Sequence, residues 1–257
     1  MSGDSDCPFY EPSDDTYLLV DALRKDLELI NASVRPSLCV EVGSGSGYVL
    51  TALALLLRGE NPDERLPITA LFPSSCSVGV DTAAPPPPPT DAAVSAPAAT
   101  ARFVATDVNP RAVAATRALG RTVGVEIECV LTDLLAALRV GPDIRGGGGI
   151  DVLLFNPPYV PTPSEEIEAL SASGSGIAAA WAGGIDGREV VDRFVPYLPR
   201  VLATNGVCYL LLVQKNKPFQ LIRALKAIGL DSKIVVKRRA QNERLLVLRI
   251  SRTPPVL

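Results

Sequence analysis

Apolar residues recur along the chain at two spacings, one typical of helices and one typical of buried strands. Leucine or isoleucine at helical spacing in 12–30 predicts an amphipathic helix, with Ser13 placed to cap its first turn. Further helices are predicted over 48–58, 110–120, 188–202 and 218–228. Short apolar runs predict seven strands, over 38–42, 102–107, 125–130, 150–155, 206–213, 233–239 and 244–250.

The order of these segments predicts the architecture. Strands that alternate with helices form a mostly parallel sheet covered on both faces, so we expect a doubly wound, Rossmann-like α/β fold. Only a short polar turn separates the last two strands, which predicts a C-terminal antiparallel hairpin. From about 59 to 101 the chain is rich in Pro, Ala, Ser and Thr. Because proline lacks the amide donor that helices and sheets need, we expect an unstructured insertion within a single domain spanning 1–257.

Composition narrows the possible chemistry. The 257 residues include no histidine, which removes Ser-His-Asp and Cys-His mechanisms and histidine-ligated zinc. The net charge of -3 provides no strong field that would attract nucleic acid or an anionic membrane. Five cysteines lie far apart without a C-x-x-C pair, which predicts reduced core thiols in a cytosolic or nuclear compartment. We expect a soluble intracellular protein, because no apolar run is long enough for a membrane helix and the first residues are acidic.

Polar residues follow the first two regular strands, at the sheet edge where doubly wound folds bind ligands. The first strand runs into Glu41 and a glycine turn at 43–47. Its G-x-G-x-G spacing lacks the third glycine of the dinucleotide fingerprint. Asp107 ends the next regular strand and suits a ribose diol, although it could instead cap the following helix. Asp81, which follows another short apolar run, is a rival for the ribose.

Two further strand ends carry candidate residues. Asp133, after the third strand, suits an exocyclic amine of a purine ring, or a helix cap. Asn156-Pro157-Pro158-Tyr159 follows the apolar fourth strand. An asparagine side-chain carbonyl and a proline-held backbone carbonyl form two acceptors that can grip an NH2 group, and Tyr159 can stack on a flat group. The alternative is a proline turn that only closes the strand.

Four motifs in this order resemble one enzyme family. They are E-V-G-S-G-S-G at 41–47, D-V-N-P at 107–110, T-D-L at 132–134 and N-P-P-Y at 156–159. Together they resemble the class I S-adenosylmethionine-dependent methyltransferases with an N-P-P-Y motif. Segments 9–16 and 181–188 resemble the eukaryotic HemK-like protein-glutamine methyltransferases. The resemblance spans the chain outside about 59–101, whereas N-P-P-Y alone also occurs in methyltransferases that act on adenine.

The resemblance implies a cofactor and a role for each matched position. The cofactor is S-adenosylmethionine, with S-adenosylhomocysteine as its product. The resemblance places Glu41, Gly43 and Gly45 at the methionine part of the cofactor. It places Asp107 and Val108 at the ribose, and Asp133 and Leu134 at the adenine. Thr16 closes over the cofactor, and Asn156 lies beside it. The implied catalytic residues are Asn156, Pro157 and Tyr159. No residue is assigned to a metal.

The resemblance also implies a substrate and a partner. Members of this family methylate the glutamine of a Gly-Gly-Gln motif in the class I release factor, which ends translation. They act as heterodimers with a small zinc-binding activator subunit that covers an apolar surface. The sequence supplies no zinc ligand set of its own. We expect the protein in the cytoplasm, and also in the nucleus.

Together with the family resemblance, these residues lead us to expect methyl transfer to the side-chain amide nitrogen of a glutamine. Two acceptors for the same site remain open: a lysine amine of a histone, which must first lose its proton, and adenine N6 of nucleic acid. The net charge argues against nucleic acid as a direct substrate. A scaffold that binds the cofactor without catalysis is a further alternative, but it has no need of the N-P-P-Y acceptor pair.

Overall fold

A seven-stranded sheet forms the centre of the protein in a computed structural model that describes residues 12–66, 101–141, 148–163, 181–240 and 243–252. The strands are β1 (Leu38–Val42), β2 (Arg102–Asp107), β3 (Ile127–Leu131), β4 (Ile150–Phe155), β5 (Leu202–Val213), β6 (Leu230–Ala240) and β7 (Glu243–Arg252). Their order across the sheet is β3-β2-β1-β4-β5-β7-β6. The first five strands are parallel and β7 is antiparallel to both neighbours, which confirms the predicted fold and the C-terminal hairpin.

Helices cover both faces of this sheet. They are α1 (Asp14–Lys25), α2 (Leu27–Leu29), α3 (Tyr48–Leu57), α4 (Pro62–Arg65), α5 (Pro110–Thr122), α6 (Glu189–Phe194), α7 (Leu198–Val201) and α8 (Pro218–Ala227). The first face carries α1, α3 and α5, and the second carries α6, α7 and α8. Among the described residues, no helix has the length and apolarity needed to cross a membrane.

Several predicted boundaries need correction. The helix predicted over 188–202 is divided into α6, a 3-10 turn at Val195–Tyr197 and α7, because Pro196 and Pro199 lack amide donors. The predicted unstructured insertion begins too early at 59. Residues 62–65 are helical, Asn61 caps them and Leu66 is buried, since its side chain joins the core on the first face. Residues 67–100, including Asp81, lie outside the described residues.

The sheet order determines where a ligand can bind. From β1 the chain continues to β2 and β3 on one side, whereas β4 and β5 extend the sheet on the other side. The connections after β1 and β4 therefore leave in opposite directions, and a crevice opens between them at the carboxyl ends of the strands. Val42 at the end of β1 pairs with both Thr106 of β2 and Phe155 of β4. This register brings Glu41, Asp107 and Asn156 to the same edge.

Candidate active site

A cleft of about 420 Å³ opens at the carboxyl ends of β1, β2 and β4. Every residue that the sequence predicted for the site lines it: Thr16, Glu41, Gly43, Gly45, Asp107, Val108, Asp133, Leu134, Asn156, Pro157 and Tyr159. Side chains that the sequence analysis had not selected also line the cleft, among them Asp15, Trp181 and Arg193. The predicted residues therefore come together in space, although they are separated by up to 143 positions.

The glycine turn after β1 lets the start of α3 pack closely against α5. Gly47 has a φ of +78°, and a Cβ atom built there would lie 2.7 Å from the backbone Cα of Thr116 in α5. The Thr116 hydroxyl donates to Ser44 Oγ at 2.8 Å, which fixes the turn against α5. Only glycine permits this backbone conformation and this contact without strain.

Glu41 is a buried carboxyl at the end of β1, with 3% of its surface exposed. Its Oε2 atom accepts a hydrogen bond from the Leu50 amide at 3.1 Å. The pKa of Glu41 is raised to about 8, mainly because the carboxyl is buried; the Leu50 hydrogen bond opposes this rise and the charge of Asp107 adds to it. A buried carboxyl of this kind gains from a cationic ligand group, because a positive charge stabilises its ionised form.

Asp107 accepts two backbone hydrogen bonds that orient its carboxylate at the cleft. Its Oδ2 accepts from the Gly45 amide at 3.0 Å, and its Oδ1 accepts from the Asn109 amide at 2.8 Å. The cap of α5 is Asn109, whose side chain accepts from the Arg111 amide at 2.9 Å. The alternative that Asp107 caps this helix is therefore wrong. Each carboxylate oxygen can still accept from a ligand hydroxyl.

Asp133 and Leu134 form the far wall of the cleft. Asp133 is exposed and forms an ion pair with Arg193 of α6. Leu134 is buried and has a φ of +49°, in a turn that occupies 134–137. Because no helix follows in the described residues up to 141, the alternative that Asp133 is a helix cap is wrong. Arg193 was missed because only the fold brings α6 beside the end of β3.

Asn156 is held by the carboxylate of Asp15, to which the sequence analysis assigned no role in the site. Its Nδ2 atom donates to Asp15 Oδ2 at 3.1 Å, and the Tyr159 hydroxyl donates to the same oxygen at 3.1 Å. The Oδ1 atom of Asn156 is buried and has no hydrogen-bond partner within the described part of the chain. The amide group is thus oriented with its donor bonded to Asp15 and its acceptor without a partner among the described residues.

Asp15 is itself fixed by its surroundings. It is 2% exposed, and its Oδ1 atom accepts from the Thr16 amide at 2.7 Å and from the Ser13 hydroxyl at 2.7 Å. The Thr16 hydroxyl also donates to this oxygen at 3.2 Å. The buried carboxylate therefore has donors on both oxygens, which makes its position rigid. Acidic residues near helix starts are common, so no local sequence signal separates this role from ordinary stabilisation of a helix.

Asn216, which the sequence analysis also missed, holds the loop after β4 in place. This fully buried residue donates from Nδ2 to the backbone oxygens of Tyr159 at 2.9 Å, Asp186 at 2.9 Å and Gly187 at 3.2 Å. Its Oδ1 atom accepts from the Val213 amide at 2.8 Å. One side chain thereby joins the end of β5 to the N-P-P-Y loop and to the segment at 185–187.

Comparison with known proteins identifies relatives along nearly the whole chain. It is 35% identical over 245 residues to "Methyltransferase HEMK2" of Mus musculus, covering 95% of this chain and 90% of the mouse protein. It is 31% identical over 245 residues to "eRF1 methyltransferase catalytic subunit mtq2" of Schizosaccharomyces pombe, covering 95% and 89%. No model of a protein family matches the chain.

A solved structure confirms the fold. A chain of the E. cuniculi Mtq2-Trm112 complex, responsible for the methylation of the eRF1 translation termination factor, superposes with a TM-score of 0.56. The match has 24% sequence identity and covers 96% of this chain and 99% of that chain. The two chains therefore share the same overall fold.

The close approach at Gly47 makes a testable prediction. Gly47→Ala should lower the free energy of unfolding by about 3 kcal/mol, because both the φ and the contact with Thr116 are unfavourable. Gly59→Ala is the matched control, since Gly59 has a similar φ of +75° but open space around it. The control should lose only about 1 kcal/mol in urea titrations. Equal losses for the two variants would contradict the assigned packing.

The buried Glu41 carboxyl predicts a pH effect on stability. Its folded-state pKa of about 8 lies above the ordinary value of 4.5, so its stabilising contribution is complete below pH 4.5 and is lost as pH rises through 8. Glu41→Gln keeps an acceptor for the Leu50 amide and cannot ionise. The unfolding free energy of the wild type should therefore fall relative to the variant between about pH 4.5 and 8. Parallel stability curves over that range would contradict the burial of this carboxyl.

Proposed function

Because the chain belongs to the family of HEMK2 and Mtq2 methyltransferases, we propose that it methylates the side-chain amide nitrogen of the glutamine in a Gly-Gly-Gln motif of the translation termination factor. The main structural support for this proposal is the environment of Asn156. Its buried Oδ1 lacks a partner in the described residues while its Nδ2 is held by Asp15. A buried acceptor without a hydrogen bond destabilises the protein, and the NH2 group of a substrate can donate the missing hydrogen bond.

The cleft fits S-adenosylmethionine, which we propose as the methyl donor. Glu41, a buried carboxyl with a raised pKa, suits the cationic methionine part of this molecule. The oxygens of Asp107 suit the two hydroxyls of a ribose, and Leu134 and Val108 offer apolar contact to a flat ring on the same side of the cleft. When bound, the cofactor supplies a methyl group already activated by its sulfonium charge.

The contribution of the protein is then mainly positioning. Asn156 Oδ1, together with the Pro157 carbonyl that the family resemblance implies, would accept both hydrogens of the substrate NH2 group. Such a grip directs the nitrogen lone pair toward the cofactor side of the cleft. Alignment of this kind can supply several kcal/mol of the barrier reduction, and it needs no strong general base. The absence of histidine from the sequence is compatible with this mechanism.

The charges around Asn156 favour an amide over a lysine. Lysine must lose a proton before it attacks, and the nearest carboxylate to Asn156 is Asp15. Both oxygens of Asp15 already accept hydrogen bonds, from Ser13, Thr16, Asn156 and Tyr159. Asp133, also in the cleft lining, is paired with Arg193. A neutral amide needs no proton acceptor before attack, so we favour glutamine over a histone lysine.

We also propose a heterodimer with a small zinc-binding activator subunit, which the E. cuniculi complex supports by analogy. The outer edge of β3 offers a suitable surface. Within the described residues β3 pairs only with β2, and Leu131 is 57% exposed beside Val108, which is 59% exposed. Exposed apolar side chains next to an open strand edge favour strand pairing with a partner.

We propose that the protein acts in the cytoplasm, where termination factors work, and also in the nucleus. The free thiols of Cys39, Cys129 and Cys208 are compatible with a reducing compartment, where disulfides are rare. Cys7 and Cys76 lie outside the described residues.

Substitution of Asn156 tests the proposed chemistry. The chain, co-expressed with an activator subunit, would be incubated with a release factor and with a histone, and the methyl groups mapped by mass spectrometry. Asn156→Ala should lower kcat on the release factor about 100-fold or more, by analogy with loss of one positioned hydrogen-bonding group. The exposed helix cap Asn61 supplies the control Asn61→Ala. Methylation of the histone alone, or full activity of Asn156→Ala with normal cofactor affinity, would contradict the proposal.

Substitution of Asp15 tests how Asn156 is held. Asp15→Ala frees Nδ2 of Asn156 and removes the acceptor of Tyr159, so the amide can rotate and its acceptor side is no longer fixed. We expect kcat to fall about tenfold or more while cofactor affinity, measured by calorimetry, changes less. A variant with normal kcat would show that the Asp15 hydrogen bonds have no part in substrate positioning.

We expect the activator subunit to bind at the exposed edge of β3. Leu131→Asp should abolish co-purification of the activator without unfolding the chain, because a charge replaces the exposed apolar contact. Ile228→Asp is the matched control, since Ile228 is also exposed, at 43%, but follows α8. An activator that co-purifies equally with both variants would place the interface elsewhere.

A further inference from the structure

A second cleft, of about 580 Å³, lies between the β6–β7 hairpin and the start of α8. We call it the basic cleft and define it by Lys217, Phe219, Lys237, Arg239 and Arg244, which all line it. No part of the proposed methyl transfer uses these residues. The whole chain has a net charge of -3, so this concentration of positive charge runs against the average composition.

Three cations of the basic cleft share one face of the hairpin. Arg239 lies directly opposite Arg244, and Lys237 lies opposite Leu246, so Lys237 and the two arginines project on the same side. None of the three forms an ion pair with a carboxylate of the described residues, whereas neighbouring Lys217 pairs with Asp186 at 2.7 Å. Like charges directly opposite in a sheet are destabilising. A bound anion would relieve this repulsion.

The cleft lies where the apolar part of this hairpin face ends and its charged part begins. Ile234, Leu246 and Leu248 belong to the core under α8, and the cations follow them toward the tip of the hairpin. Helix α8 begins at Pro218 and covers the apolar part of the face. Its first turn contains no acidic residue, so the positive end of the helix dipole adds to the charge of the arginines.

An aromatic ring stands at the rim of this charged face. Phe219 is 68% exposed, although a phenylalanine of a soluble domain is usually buried. Gln214 and Gln220, which also line the basic cleft, offer amide donors and acceptors next to the ring. A positive groove with an exposed aromatic side chain is the arrangement that binds single-stranded nucleic acid, with phosphates on the cations and a base on the ring.

We propose that the basic cleft binds a short segment of single-stranded RNA. Arg239, Arg244 and Lys237 would contact the phosphates, and Phe219 would stack on a base. An acidic peptide would satisfy the cations but would leave the exposed ring without a function, so the ring favours RNA. The proposal does not depend on which acceptor is methylated.

The position of the basic cleft links RNA binding to catalysis. Gln214 and Lys217 flank Asn216, whose side chain donates to the backbone of Tyr159 in the N-P-P-Y loop. Lys217 also bonds Asp186, in the segment that Asn216 holds. RNA at this place would lie beside the acceptor loop and would bring the enzyme to a substrate protein that is itself associated with RNA.

The test measures binding of a fluorescein-labelled oligouridylate of about 12 nucleotides to the full chain with its activator subunit, by fluorescence anisotropy. With about three phosphates contacted, affinity should fall about twentyfold between roughly 50 and 200 mM salt. The double variant Arg239→Glu/Arg244→Glu should bind at least about tenfold more weakly, and Phe219→Ala about fivefold more weakly. The control is Arg223→Glu/Lys226→Glu, an equal charge change on exposed positions of α8 outside the basic cleft.

The outcomes separate the possibilities. A loss confined to the hairpin and Phe219 variants, with the control within about twofold of wild type, supports the proposal. Equal losses in both double variants would indicate only a general charge effect and overturn it. A decaglutamate peptide that displaces the RNA at equal concentration would reassign the basic cleft to acidic protein segments. Absolute RNA affinity is measured without substrate, so failure of the glutamine proposal would leave this result unchanged.

Discussion

The site depends on one buried carboxylate. Asp15, on the first turn of α1, accepts the Nδ2 donor of Asn156 and the hydroxyl of Tyr159 on a single oxygen. Without that oxygen, the asparagine amide could face the cleft with either its donor or its acceptor side. Because the donor side is engaged, the cleft presents an acceptor. In the proposed mechanism, the preference for an NH2 group over a carbonyl is therefore set outside the N-P-P-Y motif, by a residue 141 positions earlier in the chain.

The rest of the fold holds this arrangement in place. The parallel register of β1, β2 and β4 brings the ends of three strands to one edge, and the glycine turn lets α3 and α5 pack close behind it. Asn216 fixes the loop after β4 from the opposite side. Glu41 reduces the stability of the free protein, because burial opposes ionisation of its carboxyl group. Such a group lowers the stability of the free protein as pH rises from 4.5 to about 8, and a ligand that carries positive charge would offset this cost.

The sequence predicted the fold well because strands buried on both faces are continuous apolar runs, and their polar ends mark the ligand edge. It was less informative where one residue type serves two purposes. Asp107 and Asn109 can both cap a helix, and only the structure shows that Asn109 does so. Asp15 and Asn216 were missed because their roles come from contacts across 141 and 57 residues. No local pattern encodes such contacts. The basic cleft was missed although Lys237, Arg239 and Arg244 lie on one hairpin, because the chain as a whole has a net charge of -3 and only the fold brings Phe219 and Lys217 beside these cations.

The most direct test of the account is a crystal structure of the heterodimer with S-adenosylhomocysteine and a peptide containing Gly-Gly-Gln. We predict that the glutamine amide nitrogen lies within hydrogen-bond distance, about 3 Å, of Asn156 Oδ1, while Asn156 Nδ2 remains bonded to Asp15. The result that would contradict it is a glutamine bound elsewhere, or an Asn156 side chain that presents its nitrogen to the substrate.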